Sequence, residues 1–396
     1  MMLEQKDYIV NRSWVEIDLN ALAENLRSIR SLIRRNCEIM AVVKADGYGH
    51  GALQIAPLLL SCGASRLAVS LLDEAIHLRE NGITAPILIL SYTDPRRAEE
   101  IIRYNVTQTV YSWDLIHALN EAGRKTGRKA DVHIKIDTGM SRIGFVSGFN
   151  SVHEAQAICA LPNIVVEGIF THFATADEAD DHYLRLQFSR FMSICRELEK
   201  QGIYIPIKHC CNSAATLRYP EMHLDMVRTG LVMYGFLPDN CAGFATAVRP
   251  AMTLKSSVIH LKRLPAGVSV GYGRRYTTST ETTVATVPIG YADGYSRIMG
   301  NRAWALVRGT RVPVIGNICM DACMLDVSAV AASVQVGDEV ILAGEQGGER
   351  VTFEELAAWS NTITYEMICI IGKRVPRVYL QDDVIVQIHS DVLSLR

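Results

Sequence analysis

Nowhere in the 396-residue chain does an uncharged apolar stretch reach the roughly 20 residues that span a bilayer, which excludes a helical membrane protein. The first residues, Met1-Met2-Leu3-Glu4-Gln5-Lys6-Asp7-Tyr8, carry acids and lack the apolar centre of a secretory signal, so a cytoplasmic protein is expected. An excess of charge of one sign is also missing. Forty Lys and Arg stand against 42 Asp and Glu, a formal net charge of -2. Without a broad basic field there is little to attract nucleic acid, and the expected partner is a small molecule held at a local site. Paired cysteines are absent as well. The ten cysteines include no CxxC; Cys210 and Cys211 are adjacent, and Cys319 and Cys323 form only a C-x3-C pair. Scattered cysteines of this kind are small buried hydrophobes, so neither disulfide nor zinc is expected.

What the chain does have is apolar mass, 49% of its residues, over a length that favours two or more domains. From about residue 38 to 230, short β-branched runs alternate with amphipathic segments, the pattern of βα units on a parallel sheet. The strands are read at Ile39–Lys44, Arg66–Ser70, Pro86–Ser91, Thr107–Ser112, Asp131–Asp137, Ile164–His172, Ile205–Cys210 and Asp225–Arg228. Eight units predict a closed (β/α)8 TIM-like barrel. Between the strands lie helical patterns at Leu72–Glu80, Trp113–Gly123 and Tyr183–Lys200, the last with Leu184, Phe188, Phe191, Ile194 and Leu198 along one face. After about residue 240 the texture becomes Val- and Thr-rich, with strands expected at Thr282–Ile289, Trp304–Val307, Val312–Ile315 and Glu339–Leu342 and one helix at Phe353–Trp359. The fold class is therefore α/β: a barrel over residues 1–240 and a C-terminal mostly β domain over 241–396, connected through Leu237–Arg249. Trp14–Asp18 is either an extra strand before the barrel or one that joins the β domain.

The most informative run is Ala41-Val42-Val43-Lys44-Ala45-Asp46-Gly47-Tyr48-Gly49-His50-Gly51. It sets a lysine at the end of an apolar strand, before a glycine-rich turn. A lysine amine, with an ordinary pKa of about 10.4, becomes a nucleophile near neutrality when burial or a neighbouring cation lowers that value. Chemistry in such barrels collects at the C-terminal ends of the strands. There fall Lys44, then Lys135, Asp137 and Arg142, then His172, then Asn212 and Ser213, then Arg228 and Gly230. Lys135 inside a barrel is costly unless paired, for instance with Asp137, or chemically neutralised. His172 has no second ligand at metal spacing and reads as a hydrogen-bonded structural histidine, so no metal is expected.

Lys44-Ala45-Asp46-Gly47-Tyr48-Gly49-His50-Gly51 is similar to the pyridoxal-phosphate attachment site of alanine racemases. His133-x-Lys135-x-Asp137-Thr138-Gly139-Met140-x-Arg142, Thr171-His172-Phe173-Ala174-Thr175-Ala176-Asp177, Asn212-Ser213-Ala214-Ala215, Val227-Arg228, Gly271-Tyr272-Gly273, Ile289-Gly290-Tyr291-Ala292-Asp293-Gly294, Cys319-Met320-Asp321 and Thr364-Tyr365-Glu366 follow that family's order over essentially the whole chain. The resemblance implies pyridoxal 5'-phosphate as cofactor, alanine as substrate and a homodimer with shared sites. It makes Lys44 the lysine that holds the cofactor, puts Tyr48, Ser213, Gly230, Leu231 and Tyr365 around the phosphate with Asn212 beside them, and sets Arg228 against the ring nitrogen with His172 behind. Arg142 would meet the cofactor's phenolic oxygen and the substrate carboxylate, which Met320 would also serve through its N–H. Tyr272, Tyr291, Met320 and Asp321 would come from the partner subunit. In relatives the lysine matching Lys135 can be carbamylated.

The same resemblance implies racemisation of alanine by two bases, Lys44 on one face and Tyr272 on the other, with a role in peptidoglycan precursor supply. A phenol serves as base near neutrality only among cations, and the arginines supply them. Arg228, with donors only, makes the ring a weaker electron sink and favours prompt reprotonation. Barrel-fold decarboxylases of basic amino acids fit less well, since they place an acid where this chain has Arg228. Carrier proteins for the cofactor resemble the barrel alone. Two departures stand out: Asn317, where many relatives have arginine, and Pro57, inside the helix after the lysine motif.

Overall fold

The computed structural model describes residues 12–243 and 248–392. Met1–Tyr8, read above as lacking a signal, lies outside the described residues, as does the middle of the connection expected over Leu237–Arg249. The chain divides into two compact units, one running Ala21–Arg249, the other joining the chain up to Asn20 to the chain from Pro250 onward.

In the first unit eight parallel strands wind into a nearly closed barrel. Met226–Thr229 pairs with Glu38–Val42, and pairing continues through Arg66–Val69, Ile87–Ile89, Thr107–Val110, Ala130–Asp137, Ile164–Phe170 and Ile207–His209. Side chains of these strands meet barrel filling on one face and helices on the other, so most are buried and apolar: Ile39, Ala41, Leu67, Ile87, Ile89, Val110, Ile134 and Ile169 are all fully buried. The last seam is joined by Asp225 N–H to Lys208 O (3.1 Å) and Arg228 N–H to Cys211 O (3.0 Å). The sequence pattern places most strand starts well and carries several ends too far. Ile164–Phe170 stops short of His172, and Glu38–Val42 stops short of Lys44, because the backbone turns out of the ladder where its polar residues begin. The helix Ala52–Ser61 runs on through Pro57, which is exposed.

The second unit is a mostly antiparallel sheet. Its order among the described residues runs from His260–Leu264 through Thr282–Val287, Cys323–Asp326, Thr310–Ile315, Trp304–Val307, Glu339–Gln346 and Met252–Ser257 to Ser13–Asp18, Arg377–Gln381 and Val384–His389. Ser13–Asp18 pairs antiparallel with Met252–Ser257 and parallel with Arg377–Gln381. Interior strands of the sheet bury one face, as where Cys323 and Leu325 are fully buried while Met324 and Asp326 are half-buried; the two end strands, His260–Leu264 and Val384–His389, bury none of their residues. The helix Phe353–Ser360 begins at a reciprocal cap, Thr352 Oγ1 accepting from Glu355 N–H (3.2 Å) and Glu355 Oε2 from Thr352 N–H (2.9 Å).

Candidate active site

Lys44 stands immediately past the first barrel strand, and the four residues after it are left-handed: Ala45, Asp46, Gly47 and Tyr48 have φ of 52°, 54°, 63° and 53°. Each non-glycine residue in that region costs about 1–2 kcal/mol, so the turn must be held from outside. Gly47 N–H bonds Val43 O (2.9 Å), Gly49 N–H bonds Ala45 O (3.1 Å), and Asp46 Oδ1 accepts from Ala52 N–H (2.8 Å). Glu74, from the helix Leu72–Glu80, supplies the remainder. Its Oε1 accepts from Ala45 N–H (2.6 Å) and its Oε2 from Ser70 N–H (2.7 Å) and Leu71 N–H (3.0 Å), tying two strand ends together. The ring of Tyr48 packs 5.0 Å from that of Tyr234, whose hydroxyl donates to Val42 O (3.0 Å).

At the far side of the seam Gly230 N–H donates to Ser213 Oγ (3.0 Å), and Asn212 Oδ1 caps the helix Ser213–Arg218 by accepting from Ala215 N–H (3.0 Å). A Cβ on Gly230 would stand 2.8 Å from the Tyr48 hydroxyl, so this backbone is approached as closely as only glycine allows. Ser213, Gly230, Leu231 and Tyr48 form one small cradle of backbone N–H and hydroxyl groups.

Arg228 is 4% exposed and meets no carboxylate among the described residues. Its guanidinium donates to His209 Nδ1 (2.8 Å), Thr171 O (2.9 Å), Cys210 O (3.1 Å) and His172 Nδ1 (3.2 Å). Burial lowers its pKa to about 10, which still leaves it charged near neutrality. Burial, then the arginine, push His209 and His172 well below the ordinary imidazole value, so both are neutral acceptors. Arginine has donors only, which puts the proton of each imidazole on Nε2. His209 Nε2 then donates to His133 Nδ1 (2.9 Å), and His133, lowered to about 3 chiefly by burial, turns its own Nε2 towards Glu167 Oε2 at 3.8 Å.

Lys135 is 4% exposed, with its Nζ 4.6 Å over the Phe170 ring. The ion pair with Asp137 does not form among the described residues. Asp137 Oδ1 instead accepts from Gly139 N–H (2.9 Å) and Ser141 N–H (3.0 Å), because the loop that carries Arg142 needs an acceptor for its turn. Burial, then Arg228 and Arg142, drive the Lys135 ammonium well below the ordinary lysine value. Lys44, Lys135, Arg142 and Arg228 all act on His172, a concentration of positive charge that fits an anionic ligand. With a cradle for phosphate and a guanidinium rather than a carboxylate for a ring nitrogen, these residues fit pyridoxal phosphate.

Gln187 is a site-supporting residue that the sequence reading passed over. Fully buried, it accepts from Ala174 N–H (2.9 Å) and donates to His172 O (3.1 Å) and Thr138 Oγ1 (3.3 Å). Its signal was a polar side chain on the apolar stripe between Leu184 and Phe191. His209 had no such signal, since a lone histidine in a strand is unremarkable.

Tyr272, Tyr291, Met320, Asp321 and Tyr365 belong to the second unit. Tyr291 N–H bonds Cys319 O (3.1 Å) and Ala292 N–H bonds Met320 O (3.0 Å), zipping two loops together; a Cβ on Gly290 would fall 2.3 Å from both carbonyl oxygens. Arg374 fastens the same loops, through Asp321 (2.7 Å) and the buried Asp293 (3.4 Å). Tyr365 is carried by the helix Thr364–Cys369, and Ile370, which caps that helix, lines a pocket with Tyr291 and Gly294.

Comparison with known proteins follows the same division. The family model of the alanine racemase N-terminal domain matches residues 17–238 and that of the C-terminal domain residues 251–379. The alanine racemase of Clostridium tetani is 46% identical over 381 residues, 96% of this chain and 98% of its own length. That of Desulforamulus reducens is 47% identical over 368 residues, 93% of this chain and 98% of its own. The solved alanine racemase of Clostridium difficile 630 superposes with a TM-score of 0.93 at 43% identity, covering 97% of this chain and all 100% of that one. The Bartonella henselae enzyme, solved with covalently bound pyridoxal phosphate, superposes with a TM-score of 0.84 at 26% identity over 93% of this chain and 99% of that one. By both of its domains and by its nearly full-length identity to these enzymes, the chain belongs to the alanine racemase family of amino-acid isomerases.

Proposed function

We propose that this chain interconverts L-alanine and D-alanine with pyridoxal 5'-phosphate, Lys44 working on one face of the substrate and Tyr272 of the partner subunit on the other, in a homodimer with shared sites. The observation that carries the reading is the convergence at the strand ends of one barrel of Lys44, the hydrogen-bonded Ser213 and Gly230, and a guanidinium that donates to neutral acceptors. When bound, the cofactor supplies the electron sink that acidifies Cα.

The chain's own groups do the rest. Lys44 Nζ takes the proton of the D-enantiomer and the Tyr272 phenolate that of the L-enantiomer, each returning a proton in the opposite direction. Ser213, Gly230, Leu231, Tyr48 and Tyr365 hold the phosphate, and Asn212 fixes the start of the helix that presents Ser213. Arg142 and the Met320 N–H hold the substrate carboxylate; carbamylation of Lys135, as in relatives, would turn that buried cation into an anion beside Arg142. Arg228 cannot share its proton with the ring nitrogen as a carboxylic acid would, and charge at Cα is therefore quenched promptly by reprotonation. His172 supports that guanidinium; Tyr291 and Asp321 support the loop of Met320.

Exposure supports the dimer. Tyr272 is 68% exposed, Met320 52%, Tyr291 43% and Ile370 37%, an amount of large apolar surface on one unit that a second copy would cover. In this reading neither the barrel domain (residues 1–240) nor the β domain (241–396) is active alone. The product D-alanine would enter cytoplasmic peptidoglycan precursors. No helix among the described residues is long and apolar enough to cross a membrane.

The test is incubation of the purified protein with L-alanine in deuterated water. D-alanine carrying deuterium at Cα is expected, and Lys44→Ala should remove both the activity and the visible absorbance of bound cofactor. Release of carbon dioxide would favour a decarboxylase, and release of cofactor without turnover a carrier protein.

A further inference from the structure

Tyr272 sits in a loop with little internal restraint. It is flanked by Gly271 (φ 74°) and Gly273 (φ 72°), is followed by Arg274 at φ 53°, and lies 68% exposed in the single chain, so the packing of its own subunit does not fix it. Two asparagines from neighbouring segments grip this loop. Asn317 Nδ2 donates to the backbone carbonyl of Tyr272 itself at 2.7 Å. Asn301 Nδ2 donates to Arg275 O (3.3 Å) while its Oδ1 accepts from Gly316 N–H (2.6 Å), joining the end of the loop to the strand Thr310–Ile315 that leads to Asn317. The loop's other ties among the described residues are Arg274 N–H to Gly271 O (3.3 Å), Arg274 Nε to Ser269 Oγ (2.8 Å) and the pairing of Ser269–Val270 with Tyr276–Thr277 at its base, none of them to the Tyr272 carbonyl. Asn317 is thus the side chain that bonds the tyrosine's own peptide.

We propose that Asn317, one of the two departures seen in the sequence, is a positioning residue for the reaction: its amide anchors the Tyr272 peptide and so sets where the phenol stands against Cα. The proposal rests on the two-base reading. An acid–base group displaced by about 1 Å loses rate by up to two orders of magnitude, and one bond at the root of a side chain of this length governs a displacement of that size.

The test measures rates in both directions with alanine carrying deuterium at Cα. Asn317→Ala should lower kcat/KM about ten-fold. The isotope effect from deuterated L-alanine should rise, since Tyr272 abstracts that proton, and that from deuterated D-alanine should fall, since return of a proton by Tyr272 becomes limiting. Asn317→Asp keeps the shape and removes the N–H, and should behave as Ala does. The spectrum of bound cofactor, which depends on Lys44, should not move. Added to the residual activity of Tyr272→Phe, Asn317→Ala should cost nothing more. Wild-type rates in Asn317→Ala, retention of rate by Asn317→Asp, equal changes in both isotope effects, or full additivity with Tyr272→Phe would each overturn the positioning role and leave the two-base reading standing. Symmetric isotope effects in Tyr272→Phe itself would remove that reading, and the role of Asn317 with it.

Discussion

The Arg228 guanidinium donates at 2.8 Å to His209 Nδ1, so a buried permanent cation rests on an imidazole that must stay neutral to receive it. His209 gives its one ring proton, on Nε2, to His133 Nδ1 at 2.9 Å, and the chain of donors ends at His133, whose Nε2 faces Glu167 at 3.8 Å without a hydrogen bond. Its direction is set at the arginine end, where no acceptor exists.

Acid should break this chain before it touches the rest of the barrel. His133 is lowered from 6.5 to about 3 by burial and by Arg66 and Arg228, and His172 and His209 shift the same way. The unfolded chain therefore binds more protons than the folded one below about pH 6.5, and stability present above that pH is lost progressively down towards about pH 3. Thermal melts should show a flat plateau near neutrality and a falling midpoint on acidification. His133→Gln should flatten that slope. An unchanged slope would mean the imidazoles are charged in the fold.

Arg228→Glu puts a group able to share a proton where none was possible. The cofactor ring would then be a stronger sink, and side transamination should appear as one pyruvate released for each cofactor left in its amine form, while racemisation falls about a hundred-fold or more. Racemisation reduced with no trace of pyruvate would contradict the account of the ring nitrogen.

Glu74→Ala removes the acceptor for three N–H groups at two strand ends and frees the left-handed turn after Lys44. A stability loss of about 1–3 kcal/mol is expected, with weakened retention of cofactor. Denaturant melts and dialysis against buffer, followed by absorbance, would show both. Loss of stability with cofactor fully retained would mean that the turn is held by its own backbone bonds.

The barrel was legible because its strands are apolar on both faces and recur at regular spacing; Lys44 and Arg228 were legible because charge at the end of such a strand is out of place. In the β domain, edge and bridging strands such as Met252–Ser257 and Arg377–Gln381 went unread, since half-buried alternation over five or six residues is weak against loops of similar composition. Partners were the other gap. Asp137 invited pairing with Lys135 by spacing alone, but its carboxylate serves the next turn instead. Glu74 drew no reading from the sequence, and only the fold reveals which N–H groups come within its reach.

The central claim is that one subunit's amine and the other's phenol make one site. Lys44→Ala, inactive as a homodimer, and Tyr272→Phe, left with only a small residual activity, should be mixed at equal amounts, dissociated and allowed to reassociate. Heterodimers then contain one site with both groups intact, and activity should recover to roughly a quarter of the wild-type level. Absence of recovery at every mixing ratio, with heterodimers demonstrably formed, would place both groups in the same chain's site and contradict the account.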